Sequence, residues 1–270
     1  MFKELTTPLA AERKPWELFF LAIIFSSLAI LISIIFFNNQ GGINTIVLSI
    51  LAFIPLMYHA LAREERQDTT HTNERFLLRE HSKVVLFLIF MFLGMVVSFF
   101  AWSLFLPEQT TNQLFALQQE AITSTQHAIT GQSIGVDSPL IAIIQKNLNV
   151  MFLALLLSLF FGFGALYIVT WNASVVAIAM TNFVHTAGST GLSVFMSFIR
   201  YLTHGLPEIL GFLIAGLAGG IFYIAFIQGD LKRKIVRTTI YKDVLALIAY
   251  AFLFIISAAL IEVYITPLFF

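Results

Sequence analysis

The residues best suited to chemistry lie in one run of nine, Arg200-Tyr201-Leu202-Thr203-His204-Gly205-Leu206-Pro207-Glu208, flanked by long apolar stretches. A cation, an imidazole and a carboxylate this close could form a polar knot, an ion or proton pathway, or a metal or catalytic site. Ionisable groups at membrane depth cost about 2.5–3.5 kcal/mol each on insertion scales, so they turn to the protein interior. Pro207 has no backbone donor to lose at a helix start. It predicts a helix over 207–227 with Glu208 in the first turn, against the positive end of the dipole. His204 and Glu208 are then four apart, with Gly205 and Pro207 between them. The leading expectation is a knot in which Glu208 bonds free helix-start donors, pairs with Arg200 or His204, and pins a broken helix.

Enzyme chemistry finds little support elsewhere. The chain has no cysteine, which removes disulfides, iron–sulfur clusters, thiolate zinc sites and cysteine nucleophiles. His59, His185 and His204 are isolated in sequence, so no zinc motif of the H-E-x-x-H type exists. Gly188-Ser189-Thr190-Gly191 is only superficially like a membrane serine hydrolase motif, and Glu64-Glu65-Arg66 sits in a basic run. We therefore expect no catalytic residue, no metal, no cofactor and no turnover. A formal net charge of +0 excludes a general attraction to nucleic acid.

The elements that must hold the knot are membrane helices. Hydrophobic residues make up 59% of the 270 and charged residues 11%, against about 25% charged in a soluble chain. Mean hydropathy is +0.89. About 20 apolar residues cross the hydrocarbon core, and spans are expected at 17–37, 43–62, 84–106, 148–170, 207–227 and 243–265. The fourth could begin earlier, because Asp137-Ser138-Pro139 reads as a cap with proline at the first helical position. Between Trp171-Asn172 and Pro207 lie two short apolar runs separated by His185–Gly191. The expected fold is an all-α polytopic bundle: six full spans plus one broken helix, 173–203, making seven crossings. It forms a single membrane domain, with a three-span part at 1–106, an outer loop at 107–138 and a second part at 139–270.

Cations set the orientation. The 63–83 connection carries Arg63, Arg66, Arg75, Arg79 and Lys83, and the 228–242 connection carries Lys232, Arg233, Lys234, Arg237 and Lys242. Segment 107–146 has Lys146 alone. The positive-inside rule puts both basic connections and the N-terminus in the cytoplasm of a cell-membrane protein and the C-terminus outside. Leu114, Leu117, Ala121 and Ala128 approximate a helical stripe in the outer segment, either an interfacial packing helix or a docking surface for an extracytoplasmic partner. Gly211, Gly216, Gly219 and Gly220 form small-residue rows that permit close helix approach. Gly162 and Gly164 are candidates for the facing groove. The rows equally allow a homo-oligomer.

Asn147 and Asn149 opening a long apolar helix, then Gly162 and Gly164, then Asn172, then His204-Gly205-Leu206-Pro207-Glu208 with its glycine rows, give a pattern that resembles the stage II sporulation protein M family. The likeness covers about 139–227. It implies a multi-pass protein that localises partners in the lipid bilayer: other membrane or extracytoplasmic proteins, wall-remodelling enzymes among them. The expected function is thus a non-enzymatic membrane scaffold. The alternative is a transporter or an ion- or proton-conducting protein using the broken helix and Glu208.

Overall fold

A computed structural model describes residues 16–37, 41–70, 74–127, 139–161 and 164–268. Among them are nine α-helices. They are α1 Trp16–Phe36, α2 Gly41–Thr70, α3 Glu74–Phe105, α4 Glu108–Leu114, α5 Ala116–His127, α6 Pro139–Phe161, α7 Gly164–Thr186, α8 Gly191–Gln228 and α9 Lys234–Leu260. A π-helical turn, Ile261–Ile265, and a 3-10 turn, Thr266–Leu268, extend α9. Seven of these helices, all but α4 and α5, are long and apolar enough to cross a membrane. The all-α, seven-span bundle expected from sequence is therefore present.

The spans are partitioned differently in the second half. The fourth ends at Phe161, and Trp171 and Asn172 lie inside α7 rather than at a boundary. The signal for the end was the Gly162–Gly164 pair. At Gly164 a Cβ would collide with Leu157 and Ser158, and the Ala165 amide donates to Ser158 Oγ at 2.9 Å. This junction excludes a side chain, so α6 and α7 meet where glycine stands.

The broken helix at 173–203 is not observed. Residues 173–186 complete α7, and 191–203 are the first third of α8, which runs unbroken through Pro207. The break is a four-residue turn at 187–190, with positive φ at Gly188 (93°) and Ser189 (53°). Thr190 and Ser193 then form a capping box that starts α8. In hydrocarbon each unsatisfied backbone group costs several kcal/mol. Ending a helix near 203 would orphan up to four carbonyls and four amides, whereas an internal proline removes one hydrogen bond. Continuity is the cheaper solution. The basic 63–83 connection is likewise largely helical, belonging to the extensions of α2 and α3.

The centre of the bundle is α8, which packs most extensively on α9 and α6 and then on α7, while α3 packs on α1 and α7. Phenylalanine serves two solvents. Phe53, Phe87, Phe92, Phe99, Phe115 and Phe212 are fully buried, whereas Phe36, Phe160 and Phe226 stand on the outer surface of the bundle.

Candidate functional site

Midway along α8, Gly205 is buried, yet a Cβ there would meet nothing within 4 Å. It lies one turn from the gap that Pro207 leaves in the hydrogen-bond ladder. The ionic side chains around it engage different helices. Arg200 stands over the Phe183 ring of α7, 5.4 Å from its centroid, and 6.0 Å from that of Tyr201, within reach of cation–π attraction. His204 Nδ1 lies 3.4 Å from Thr266 Oγ1 beyond the π-turn of α9. Glu208 interacts electrostatically with Lys146 of α6 and with Glu262 inside the π-turn. Lys146 also acts on His204 and Glu262. His204 and Thr266 are the one pair here within hydrogen-bond reach; Lys146, Glu208 and Glu262 act on one another through their charges, from α6, α8 and the π-turn. Glu208 does not stand at a helix start, because the helix began at Gly191.

Sequence reasoning placed Arg200, His204, Gly205, Pro207 and Glu208 in this region and missed Lys146. Its signal was visible: Lys146 is the single cation in 107–146. The three asparagines do not converge. Asn147 is buried with its amide nitrogen unpartnered, Asn149 is exposed on α6, and Asn172 donates 2.8 Å back to Ile168 O of its own helix.

The packing glycines act within the chain. At Gly216 a Cβ would sit 2.7 Å from Ala165 Cβ, and at Gly219 2.5 Å from the Leu155 carbonyl. At Gly211 the nearest atom would be Ile255 Cδ1 at 2.8 Å. Gly220 is buried with them. The 211–220 stripe is therefore covered by α6, α7 and α9. The facing groove is built by Ser158 and Ala165 beside Gly164; Gly162 lies outside the described residues.

The segment expected as a packing helix or a docking surface is helical and packs on the bundle, and it carries a second polar region. The kinked pair α4–α5 is drawn into the bundle, burying Thr111, Leu114, Phe115 and Gln118. Gln118 Nε2 donates to Ser174 Oγ at 3.1 Å. Gln119 and Asn182 exchange two amide hydrogen bonds, 3.2 and 2.9 Å. Of the expected stripe, Leu114 is buried and Leu117 exposed, while Ala128 lies outside the described residues, as does 128–138 generally. Among the described residues no three His, Asp or Glu converge as a metal site.

The family model for Stage II sporulation protein M matches residues 83–267, about two thirds of the chain. The protein belongs to that family. The match reaches well beyond the 139–227 likeness, taking in the membrane part of α3, the α4–α5 pair and α9. Neither a curated protein nor a solved structure matches the chain. Family and seven apolar helices together make this a multi-pass membrane protein.

Proposed function

We propose that this family member is a non-enzymatic scaffold of the cell membrane that holds a membrane or extracytoplasmic partner, in keeping with wall-remodelling assemblies. The observation that carries this reading is the α4–α5 platform. Its inner face is fixed to α7 by Gln118–Ser174 and the Gln119–Asn182 pair. Its outer face presents Gln109, Asn112, Gln113, Ala116 and Leu117. A surface ordered before binding loses little entropy on association. Photo-crosslinking residues at Gln113 and Leu117 in native membranes should each yield one and the same protein adduct, absent from a control at the outward-facing Ile35. No adduct beyond the control would remove the scaffold reading.

One observation favours a second reading, conduction of an ion or proton. Lys146, His204, Glu208 and Glu262 interact across three helices beside a π-turn, and π-turns often mark functional positions. Purified protein in liposomes is expected to give no ion or solute flux. A reproducible flux that vanishes in Glu208→Gln would replace the scaffold with this reading.

A further inference from the structure

Of the seven spans, α6 is the least enclosed, with 22% of its apolar stretch buried. Its inward stripe is Ile143, Asn147, Met151, Ala154 and Ser158, packed on α8, α7 and α9. At 100° per residue, the opposite face carries Gln145, Asn149, Phe152 and Leu156. Gln145 and Asn149 are exposed, and neither makes a hydrogen bond to another described residue. Asn149 stands ten residues after Pro139, the first of α6, which is about 15 Å along the helix. That is near the middle of a hydrocarbon core of about 30 Å. The outward hydroxyl of Ser257 on α9 escapes the same difficulty by donating back to Leu253 O at 2.8 Å. Carboxamides left facing lipid without a partner are costly, so something other than hydrocarbon must meet these two.

We propose that this face of α6 is where two copies of the chain meet side by side in the membrane, with Gln145 and Asn149 bonding their counterparts. A carboxamide is donor and acceptor at once, so a two-fold pairing of like residues satisfies both groups. Copies inserted with the same orientation are related by an axis along the membrane normal, which brings each residue to its counterpart's depth. A foreign helix would need a matching amide at that depth. The positions 145, 149, 152 and 156 follow the four-three-four spacing of a left-handed helix pair. Asn149 then occupies the kind of seam position at which a single asparagine fixes register. No charge opposes the pairing, because Lys146 lies at the edge of the face and acts on Glu208 and Glu262. The glycine rows of α8 take no part, being covered within the chain. The proposal is independent of the scaffold reading.

The test uses the full chain in native membranes and, purified, in liposomes. Cysteines placed singly at Phe152 and Leu156 leave both amides intact, and the chain has no other cysteine. Oxidation should join Phe152→Cys and Leu156→Cys each into a disulfide-linked dimer. Leu28→Cys, also outward-facing but on α1, should stay monomeric. Association is read in liposomes by energy transfer between labelled copies diluted with lipid. Gln145→Leu combined with Asn149→Leu should weaken it about tenfold or more, as loss of interhelical hydrogen bonds does. Asn149→Gln, which keeps the carboxamide, should hold it within about threefold. Both amides are exposed, so these variants should leave the helix content measured by circular dichroism unchanged. No dimer from either cysteine, a dimer no more abundant than that of Leu28→Cys, or association that survives loss of both amides would each overturn the proposal. So would a photo-crosslinker at Phe152 that captures a different protein in native membranes in place of a second copy.

Discussion

Glu208 owes its place to the middle of a helix, not to its end. With no helix-start donors to satisfy, its carboxyl group is left to burial first, and then to the charges of Lys146 and Glu262. Lys146 is itself exposed, so the cost of breaking the pair falls on Glu208 when its cation is removed, and the effect of Lys146→Met should depend on Glu208. We expect Glu208→Gln and Lys146→Met each to lower stability in detergent, and the double variant to lose less than the two together. The coupling should be on the order of 1 kcal/mol. Strict additivity in thermal or chemical unfolding would show that the two side chains do not act on each other. The neighbouring Gly205 invites the opposite expectation. A Cβ there meets only open space, so Gly205→Ala should keep or raise stability, by up to about 1 kcal/mol from helix propensity. At Gly219 the obstacle is the Leu155 backbone carbonyl, which cannot rotate away. Gly219→Ala should lower the unfolding midpoint by an equivalent of about 1–3 kcal/mol, as overpacking does.

Helices of this chain were legible wherever apolar length alone decided them. The first three spans and the last needed no knowledge of tertiary contacts, and their boundaries shifted mostly by extension into the basic connection. In the middle, proline and polar residues that read as ends in the sequence are not ends in the structure. Pro207, His204 and Asn172 interrupt the apolar pattern yet sit inside helices, since hydrocarbon penalises an open backbone more than it penalises a buried side chain. The α4–α5 pair is legible in part: the stripe of Leu114, Leu117 and Ala121 announces a packing helix, whereas its fixation depends on residues far off in sequence. Gln119 finds Asn182 63 positions away, and nothing local announces that pairing. The pair is testable as a unit. Asn182→Leu should cost about 1–3 kcal/mol by stranding the Gln119 amide, and Gln119→Leu added to it should restore most of the loss. A double variant less stable than either single would mean that the amides do more than satisfy each other.

At the scale of the molecule, the family match begins at Lys83, leaving α1 and α2 as additions to the matched part. Their attachment is close: at Gly94 of α3 a Cβ would strike the Phe19 carbonyl, and Trp102 Nε1 donates 2.9 Å to Ser27 Oγ of α1. An added pair of spans preserves the sidedness of everything that follows it, because two crossings return the chain to its starting face. Seven spans place the connections after the second, fourth and sixth on one face. The two groups of five cations fall after the second and sixth. Any topology that crosses once more or once fewer between them would split the cations across the membrane and lose the bias that orients the protein. The chain has no cysteine, so single cysteines report without background. We expect Ser189→Cys, in the turn between α7 and α8, to react with a membrane-impermeant maleimide in intact cells. Lys234→Cys, at the start of α9, should react only after permeabilisation. Labelling of Lys234→Cys from outside, with Ser189→Cys protected, would invert the orientation. It would also move the α4–α5 platform to the cytoplasmic face, where an extracytoplasmic partner could not reach it.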